Sequence, residues 1–221
     1  MIFKAKSTVV TPDISDLAVS SRHVARWAGG RRYRPDQAQQ ECVAEVLKKA
    51  AQLVDPAFVY SVHEVSKILE AFPMAAGEKD AGMTHLAFCV CTIGGRLEKT
   101  ARTLMSTGAS LEAFFLDAAG VAFLNALSTK AYDTLRKLAK ERLLHYSCRF
   151  APGYGGLDLS AQKHLFDLVD ASMICVRLNE DCVMSPSKSL SFFTKWTTSK
   201  SSDASLRNCA SCTLADCPYR V

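Results

Sequence analysis

The chain has 221 residues, of which 48% are apolar and 22% are charged, and its formal net charge is +5. This length and composition suit one globular domain of generous size with a small appendage. No uninterrupted apolar run reaches the roughly 18–20 residues that cross a bilayer, and the first residues lack the apolar core of a signal peptide. We therefore expect a cytoplasmic protein with no membrane partner.

Basic residues are scattered along the chain, and only the stretch GGRRYR, residues 29–34, is locally dense. Proteins that bind nucleic acid concentrate Lys and Arg along one element, so we expect no nucleic-acid partner. GGRRYR is interpreted as a solvated basic turn. The cysteine count is nine, an odd number, and in a reducing compartment this favours thiols or a metal centre over a disulfide framework.

Two helices are predicted near the N-terminus. In SSRHVARWAG, residues 20–29, a serine can cap the first turn and the glycine can end the helix. RPDQAQQECVAEVLKKAAQLVDP, residues 34–56, is the clearer helix, because its apolar residues recur at helical spacing and a proline follows its end. The next segments, AFVYSVHEV and SKILEAF at residues 57–65 and 66–72, are β-branched and aromatic, which predicts two neighbouring strands.

A strand covered on both faces is predicted at THLAFCVCTIGG, residues 84–95, because both alternating sets of side chains are apolar. Cys89 and Cys91 are interpreted there as buried structural thiols, since a free cysteine behaves as a small hydrophobic residue. The following segment RLEKTARTLMSTG, residues 96–108, predicts a helix that ends at its glycine.

The longest periodic segment, residues 110–146, predicts one long central helix that Ser110 can cap. Its predicted apolar stripe consists of Leu111, Phe114, Phe115, Ala118, Val121 and Ala122. The run DAAGVA, residues 117–122, is unusually small. Small side chains let another backbone or a ligand approach a helix closely, and close helix packing is the alternative explanation.

The remaining segments complete the predicted domain. SAQKHLFDLVDAS, residues 160–172, predicts a helix, and MICVRLNEDCVM and SKSLSFFTKW, residues 173–184 and 187–196, predict strands. We predict an α+β fold in which helices pack on one largely antiparallel sheet. Residues 1–196 would form a single domain, and residues 197–221 would form a linker and a cysteine-rich tail.

The segment RFAPGY, residues 149–154, follows the long helix and offers more than a connector needs. Proline restricts the backbone, and glycine permits close approach to it. Arg149 supplies a fork of donors that matches a carboxylate, and Tyr154 supplies an aromatic face and a hydroxyl. These features suit an amino-acid-like ligand. The alternative is a turn whose arginine pairs with a neighbouring acid.

RFAPGY resembles the S-adenosylmethionine-binding signature, Arg-x-x-x-Gly-Tyr, of the activation domain of cobalamin-dependent methionine synthase. FFLDAAGVAFLNAL is similar to the central helix of that family, and LFDLVDASMICVRLNEDCVMSPSKSLSFF to its downstream helix and strand. HVARWAGGRRYRPD and PAFVYSVHEV are similar to the N-terminal part of the short, free-standing members. The resemblance covers about residues 20 to 195.

The resemblance implies a role in repairing cobalamin (vitamin B12) during methionine biosynthesis. The activation domain binds S-adenosylmethionine next to the corrin, and one electron from a flavodoxin or ferredoxin plus methyl transfer restores methylcobalamin from the inactive cob(II) form. This chain would be a free-standing reactivation component of a methionine synthase or related corrinoid methyltransferase. The cofactor and the sulfonium carry the chemistry, so no catalytic side chain is required.

Carried over by position, the resemblance assigns a binding site. Arg149 would contact the ligand carboxylate, and Phe150 and Ala151 would present backbone groups to the ligand. Gly153 and Tyr154 would shape the pocket. None of these residues would take part in bond breaking.

The sequence also departs from the family pattern. The family's central helix contributes a glutamate toward the ligand, whereas the nearby positions here are Val121 and Asn125. Asp117, one to two turns earlier, is the candidate substitute. A second ligand tyrosine falls near Phe193 or Thr194 and has no evident equivalent. These departures keep open a second hypothesis, a non-catalytic binding or assembly protein with the same fold.

Three cysteines near the C-terminus, Cys209, Cys212 and Cys217, have the spacing C-x2-C-x4-C. Thiolates two residues apart can chelate one centre, and zinc sites or iron–sulfur clusters usually take four ligands. The fourth would come from Cys175, Cys182 or another chain. The pattern predicts an iron–sulfur cluster or zinc, with a tail of reduced thiols as the alternative. A third hypothesis follows, a redox protein that works through this tail.

Overall fold

The computed structural model describes residues 6–68, 72, 82–154 and 157–199. The strands are β1 (Thr8–Val10), β2 (Ala57–Glu64), β3 (Met83–Thr92), β4 (His145–Tyr146), β5 (Arg177–Leu178), β6 (Met184–Ser185) and β7 (Ser189–Thr197). The α-helices are α1 (Ser21–Gly29), α2 (Gln37–Leu53), α3 (Val65–Ile68), α4 (Arg96–Ser106), α5 (Ser110–Glu141) and α6 (Ala161–Leu168), and single 3-10 turns lie at Ile14–Leu17 and Ala171–Ile174.

In the described residues, five strands form one sheet in the order β1-β2-β3-β7-β4, and every neighbouring pair is antiparallel. Strand β3 lies in the middle, where Val90 is opposite Val59 of β2 and Ser191 of β7. β5 and β6 pair separately as a short hairpin. With α5 as its long central helix, the domain confirms the predicted α+β fold and its largely antiparallel sheet.

Both faces of the sheet are buried. On one side, called the helical face, residues such as Cys89, Phe192 and Trp196 pack into a core with α1, α2, α4 and α5. On the opposite face, Phe88 and Phe193 belong to a second core with α6. Cys89 and Cys91 are fully buried with their sulfurs 3.8 Å apart, and burial raises the pKa of the Cys89 thiol. This confirms the prediction that β3 is covered on both faces and that its thiols are buried.

Helix α5 is the core helix of the domain. By length and composition it could cross a membrane, but half of its most apolar window is buried inside the protein, and core helices meet the same criterion. A Cβ atom at Gly120 would lie 2.8 Å from the Leu97 side chain of α4 and 3.3 Å from Cε of Lys188. The small residues at 117–122 therefore allow close packing against α4, which was the alternative explanation for them.

The N-terminal end of α5 differs from the prediction. Its N-cap is Ala109 and makes no side-chain capping bond, so Ser110 is the first helical residue and not the cap. Leu111 and Phe114 are about half exposed, whereas Phe115 is fully buried. The buried face of α5 is therefore rotated relative to the predicted stripe, because Ala113, Leu116 and Ala119 are buried in place of Leu111 and Phe114.

The predicted strand at residues 66–72 is wrong for residues 66–68 and 72, and residues 69–71 lie outside the described residues. Val65–Ile68 forms the short helix α3, and the Phe72 N–H donates to the carbonyl of Ile68 at 2.8 Å, which is a helical spacing. Strand β2 already has β1 and β3 as its neighbours, so no edge is left for this segment to pair with. Ile68 and Phe72, four residues apart, are instead both buried on the opposite face.

The predicted strand at residues 173–184 is also wrong. The segment begins in a 3-10 turn and ends in the two-residue strands β5 and β6. The Asn179 side chain accepts a hydrogen bond from the Val183 N–H at 2.8 Å, and the Asn179 N–H donates to the Val183 carbonyl at 3.0 Å. The polar Asn-Glu-Asp sequence therefore makes a turn, which divides the apolar residues on either side of it.

Adjacent phenylalanines on α5 provide a matched test of this core. Replacing Phe115 by alanine should lower the free energy of unfolding by about 3–5 kcal/mol, because a fully buried ring is lost. Replacing Phe114, which is 47% exposed, should cost about 1 kcal/mol or less. Urea denaturation of both variants measures the difference, and similar losses would contradict the orientation of α5.

Candidate functional site

The chain after α5 runs along β7, on the side away from β3. The Ser147 N–H donates to the Lys195 carbonyl at 2.9 Å, and the Lys195 N–H donates to the Ser147 hydroxyl at 2.9 Å. Further along, Phe150 and Phe193 exchange two main-chain hydrogen bonds of 2.9 and 2.8 Å. Because side chains alternate along this strand-like segment, Arg149 points to the helical face and Phe150 to the opposite face.

Arg149 is positioned by neutral partners. Its Nη1 donates to the hydroxyl of Ser128, and its guanidinium carbon lies 5.5 Å from the ring centroid of Tyr132 and 5.9 Å from that of Phe192. Cations are attracted to aromatic faces at such distances. The residue is exposed, and no carboxylate of the described part of the chain forms an ion pair with it. The guanidinium is therefore placed to receive an anionic group.

Tyr132 of α5 holds both the guanidinium of Arg149 and the start of the loop that carries it. Its hydroxyl donates to the Ser147 carbonyl at 3.0 Å, which ties α5 to the start of the loop. Burial raises the pKa of Tyr132, and Tyr146 and Cys148 raise it further, although the charge of Arg149 acts in the opposite direction. The hydroxyl therefore stays protonated at neutral pH and remains a donor. Sequence reasoning missed this residue.

The RFAPGY segment ends in a compact turn. The Tyr154 N–H donates to the Ala151 carbonyl at 3.1 Å, and the Gly153 N–H donates to the Leu157 carbonyl at 2.9 Å. Gly153 has a φ of +83°, a left-handed conformation that favours glycine. Tyr154 is 74% exposed, so its ring and hydroxyl are accessible to a ligand or a partner protein.

Phe150 is a buried residue that pairs with the sheet. Its ring stacks on Phe193 with centroids 5.3 Å apart, it is 8% exposed, and both of its main-chain groups pair with Phe193. The Ala151 carbonyl accepts the bond from Tyr154. A ligand that used the backbone of Phe150 would have to replace sheet hydrogen bonds. The predicted backbone contacts of Phe150 and Ala151 stay predictions.

Asp117 lies away from Arg149. Its carboxylate forms an ion pair of 2.7 Å with Lys188, and it precedes Ser128 by about 16 Å along the helix axis. The structure therefore does not bring Asp117 and Arg149 together. Asn125 is closer, since it is exposed and lies one turn before Ser128 on α5. The role of Asp117 at a ligand stays a prediction.

A small cavity adjoins Asn125 between α1, α5 and the turn Ile14–Leu17. Its volume is about 270 Å3, just below the roughly 300–1,000 Å3 of most ligand pockets. Asp16 lines it and forms an ion pair of 3.1 Å with Lys130. Trp27 adds an aromatic wall. Asn125 lines the cavity one turn before Ser128, but neither Ser128 nor Arg149 is among the described lining residues.

The predicted metal ligands Cys209, Cys212 and Cys217 lie outside the described residues. Within the described ranges, no group of three or more His, Cys, Asp or Glu side chains is arranged to hold a metal ion. Of the two candidates for a fourth ligand, Cys175 is exposed and Cys182 is buried. The metal centre stays a prediction that rests on the spacing in the sequence.

The fold is similar to a known structure. No protein-family model matches the sequence, and no curated protein matches it significantly. Among solved structures, the chain resembles the MetH reactivation domain bound to AdoHcy, with a TM-score of 0.59 and 12% sequence identity. The match covers 95% of this chain and 84% of that chain. At this identity the likeness shows a shared fold.

The turn at Gly153 can be tested by stability. Replacing Gly153 by alanine should lower the free energy of unfolding by about 1–2 kcal/mol, because a Cβ atom disfavours the left-handed conformation. Replacing it by asparagine should cost less, since asparagine tolerates this conformation. Chemical denaturation compares the two variants. An alanine variant as stable as the wild type would show that the turn adopts another conformation.

Proposed function

We propose that this chain binds S-adenosylmethionine at Arg149 and supports reductive remethylation of cobalamin on a partner methionine synthase or related corrinoid protein. The observation that carries the proposal is the exposed guanidinium of Arg149, which Ser128, Tyr132 and Phe192 position and which no described carboxylate neutralises. The shared fold with a domain whose structure contains AdoHcy supports it, because AdoHcy and S-adenosylmethionine carry the same amino-acid end.

The residues of this chain would bind and orient the ligand. S-adenosylmethionine would supply the methyl group and leave as S-adenosylhomocysteine, and the partner's cobalamin would accept that group after a one-electron reduction by a flavodoxin or ferredoxin. Arg149 pairs with the ligand carboxylate while Ser128 and Tyr132 hold the guanidinium in place. Gly153 has no side chain and lets the ligand approach the backbone of the loop. The exposed ring of Tyr154 provides an aromatic face for the sulfonium.

Helix α5 would supply the polar side chains that contact the ammonium group of the ligand. Asn125 takes the place of the glutamate that the family resemblance leads one to expect, since its amide oxygen can accept from the ligand ammonium group. Asp117 would serve only if it released Lys188. Tyr154 and Leu159 are both exposed, and a Cβ atom at Gly153 would lie 3.4 Å from Leu159 Cδ1. The exposed side chains of Tyr154 and Leu159 form an apolar surface beside the loop, which suits transient docking of the corrinoid partner.

Calorimetry with S-adenosylmethionine tests the assigned pocket. The wild type should bind, and Arg149→Ala should bind about tenfold more weakly or worse, because a charge-assisted contact worth roughly 1.5–3 kcal/mol is lost. Arg102→Ala is the matched control, since Arg102 is an exposed arginine of α4 that pairs with Glu98. Equal affinities for the wild type and the Arg149 variant would refute the proposal.

A reactivation assay extends this test to the partner. A corrinoid protein in the cob(II) form, S-adenosylmethionine and a reduced flavodoxin would be mixed with catalytic amounts of this chain. Loss of the cob(II) absorbance should depend on the wild-type chain and should fail with Arg149→Ala. Loss at the same rate without the chain would exclude a role in reactivation.

A non-catalytic binding or assembly protein is the second candidate function. The observation that favours it is the pairing of both main-chain groups of Phe150 with Phe193, which withholds a predicted ligand contact. The small volume of the cavity beside Asn125 points in the same direction. Absence of S-adenosylmethionine binding, together with stable association with a corrinoid protein, would favour this candidate.

A redox role of the cysteine tail is the third candidate, and it predicts bound metal. Protein purified anaerobically should contain iron and sulfide, or zinc, and the double variant Cys209→Ser, Cys212→Ser should lose them because two thiolate ligands are removed. Cys42→Ser is the control, since Cys42 is half-buried on α2. Elemental and sulfide analysis gives the answer, and metal-free wild-type protein would remove this candidate.

A further inference from the structure

A larger cavity, of about 830 Å3, lies between α1, the start of α2 and the loop that joins them. This volume is within the usual range for small-molecule pockets. Four arginines line it, of which Arg22 and Arg26 come from α1 and Arg31 and Arg34 from the loop. The turn in GGRRYR is solvated, as the sequence indicated, since Arg31, Arg32 and Arg34 are exposed. Gly30, Arg31, Tyr33 and Arg34 of this segment also form one wall of the cavity.

The loop is folded into a defined shape. The Gly30 N–H donates to the Arg26 carbonyl at 2.8 Å, and Gly30 has a φ of +82°, which turns the chain away from α1. Tyr33 packs directly on Gly29, where a Cβ atom would lie 2.5 Å from its ring. The Tyr33 hydroxyl donates to the Gln39 side chain at 2.9 Å, which anchors the loop to α2. The loop that forms the cavity wall is therefore anchored to α1 at one end and to α2 at the other.

At least one of the guanidinium groups is fixed by the loop itself. Nη1 of Arg34 donates to the carbonyls of Arg31 and Tyr33, each at 3.0 Å. An arginine that is held by main-chain carbonyls keeps its charge at the cavity and loses less conformational freedom when a ligand binds. This is the preorganisation expected of a binding site.

The described lining of this cavity is basic. No aspartate or glutamate is found among the cavity-lining residues that the structure describes. The nearby carboxylate of Asp36 accepts the Gln39 N–H at 2.9 Å and serves as the N-cap of α2. A concave surface lined by charges of one sign raises the local concentration of ligands of the opposite charge. Guanidinium forks match the geometry of phosphate oxygens.

We propose that this cavity binds a small molecule that carries two or more linked phosphate groups, such as a diphosphate or triphosphate ester. The concave shape favours a small molecule over nucleic acid, because the remaining basic residues are scattered along the chain and form no extended track. Tyr33 and Pro35 give the cavity an apolar part for the group that bears the phosphates. This site is separate from Arg149 and does not rest on the proposed function.

Isothermal calorimetry with pyrophosphate at low ionic strength tests the proposal. The wild type should bind one pyrophosphate per chain, and Arg22→Gln and Arg31→Gln should each weaken binding by about tenfold or more, since each removes a charge-assisted contact. Arg96→Gln is the matched control, because Arg96 is exposed at the start of α4 and does not line the cavity. This control should bind pyrophosphate as the wild type does.

Several results would overturn the proposal. These are no binding of pyrophosphate, equal binding by the wild type and both cavity variants, or equal weakening by Arg96→Gln. Tighter binding of a single-stranded oligonucleotide than of adenosine triphosphate would instead identify a nucleic-acid surface. Thermal unfolding of each variant should match the wild type, and S-adenosylmethionine affinity should be unchanged, so that failure here is distinguishable from failure at Arg149.

Discussion

The pairing of residues 147–150 with β7 is the constraint on which the candidate site depends. It fixes which side chain faces which side of the sheet, because side chains alternate along a strand. With Phe150 opposite Phe193, Arg149 lies on the helical face beside Phe192. A slip of one residue would exchange the two side chains and bury the guanidinium in the opposite core. The position of the charge is therefore set by sheet register and not by the loop alone.

Helix α5 joins the segment that carries Arg149 to the buried core. Leu127 and Ala131 are fully buried on the side that packs against the core, while Ser128 and Tyr132 reach Arg149 from positions next to them in the sequence. Closely packed interiors resist displacement, so the partners of the guanidinium are as rigid as the core itself. A positioned arginine costs less to order when a ligand binds. The same packing thus stabilises the fold and prepares the candidate site.

The sequence predicted those parts of the structure that depend on local pattern. The two-sided burial of β3 and the long helix α5 follow from periodicity, and the fold class follows from them. The described part of residues 66–72, and residues 173–184, were assigned wrongly because short apolar segments do not distinguish strands from helical turns. Ser128 and Tyr132 could not be identified, since their importance depends on where Arg149 lies. The i, i+4 spacing of a serine and a tyrosine on α5 was the available signal, and many core helices share it.

The two candidate sites differ in the number of positive charges that they present, and they should therefore bind different ligands. Arg149 is a single cation among neutral partners, which suits a ligand with one carboxylate. S-adenosylmethionine is such a ligand, and its net charge is positive because the ammonium and sulfonium outnumber the carboxylate. The cavity lined by Arg31 and three further arginines would repel it, and would attract polyphosphates that a lone guanidinium binds weakly. Helix α1 borders both cavities through His23, but Arg149 lines neither of them, so a polyphosphate and S-adenosylmethionine would not compete for one site.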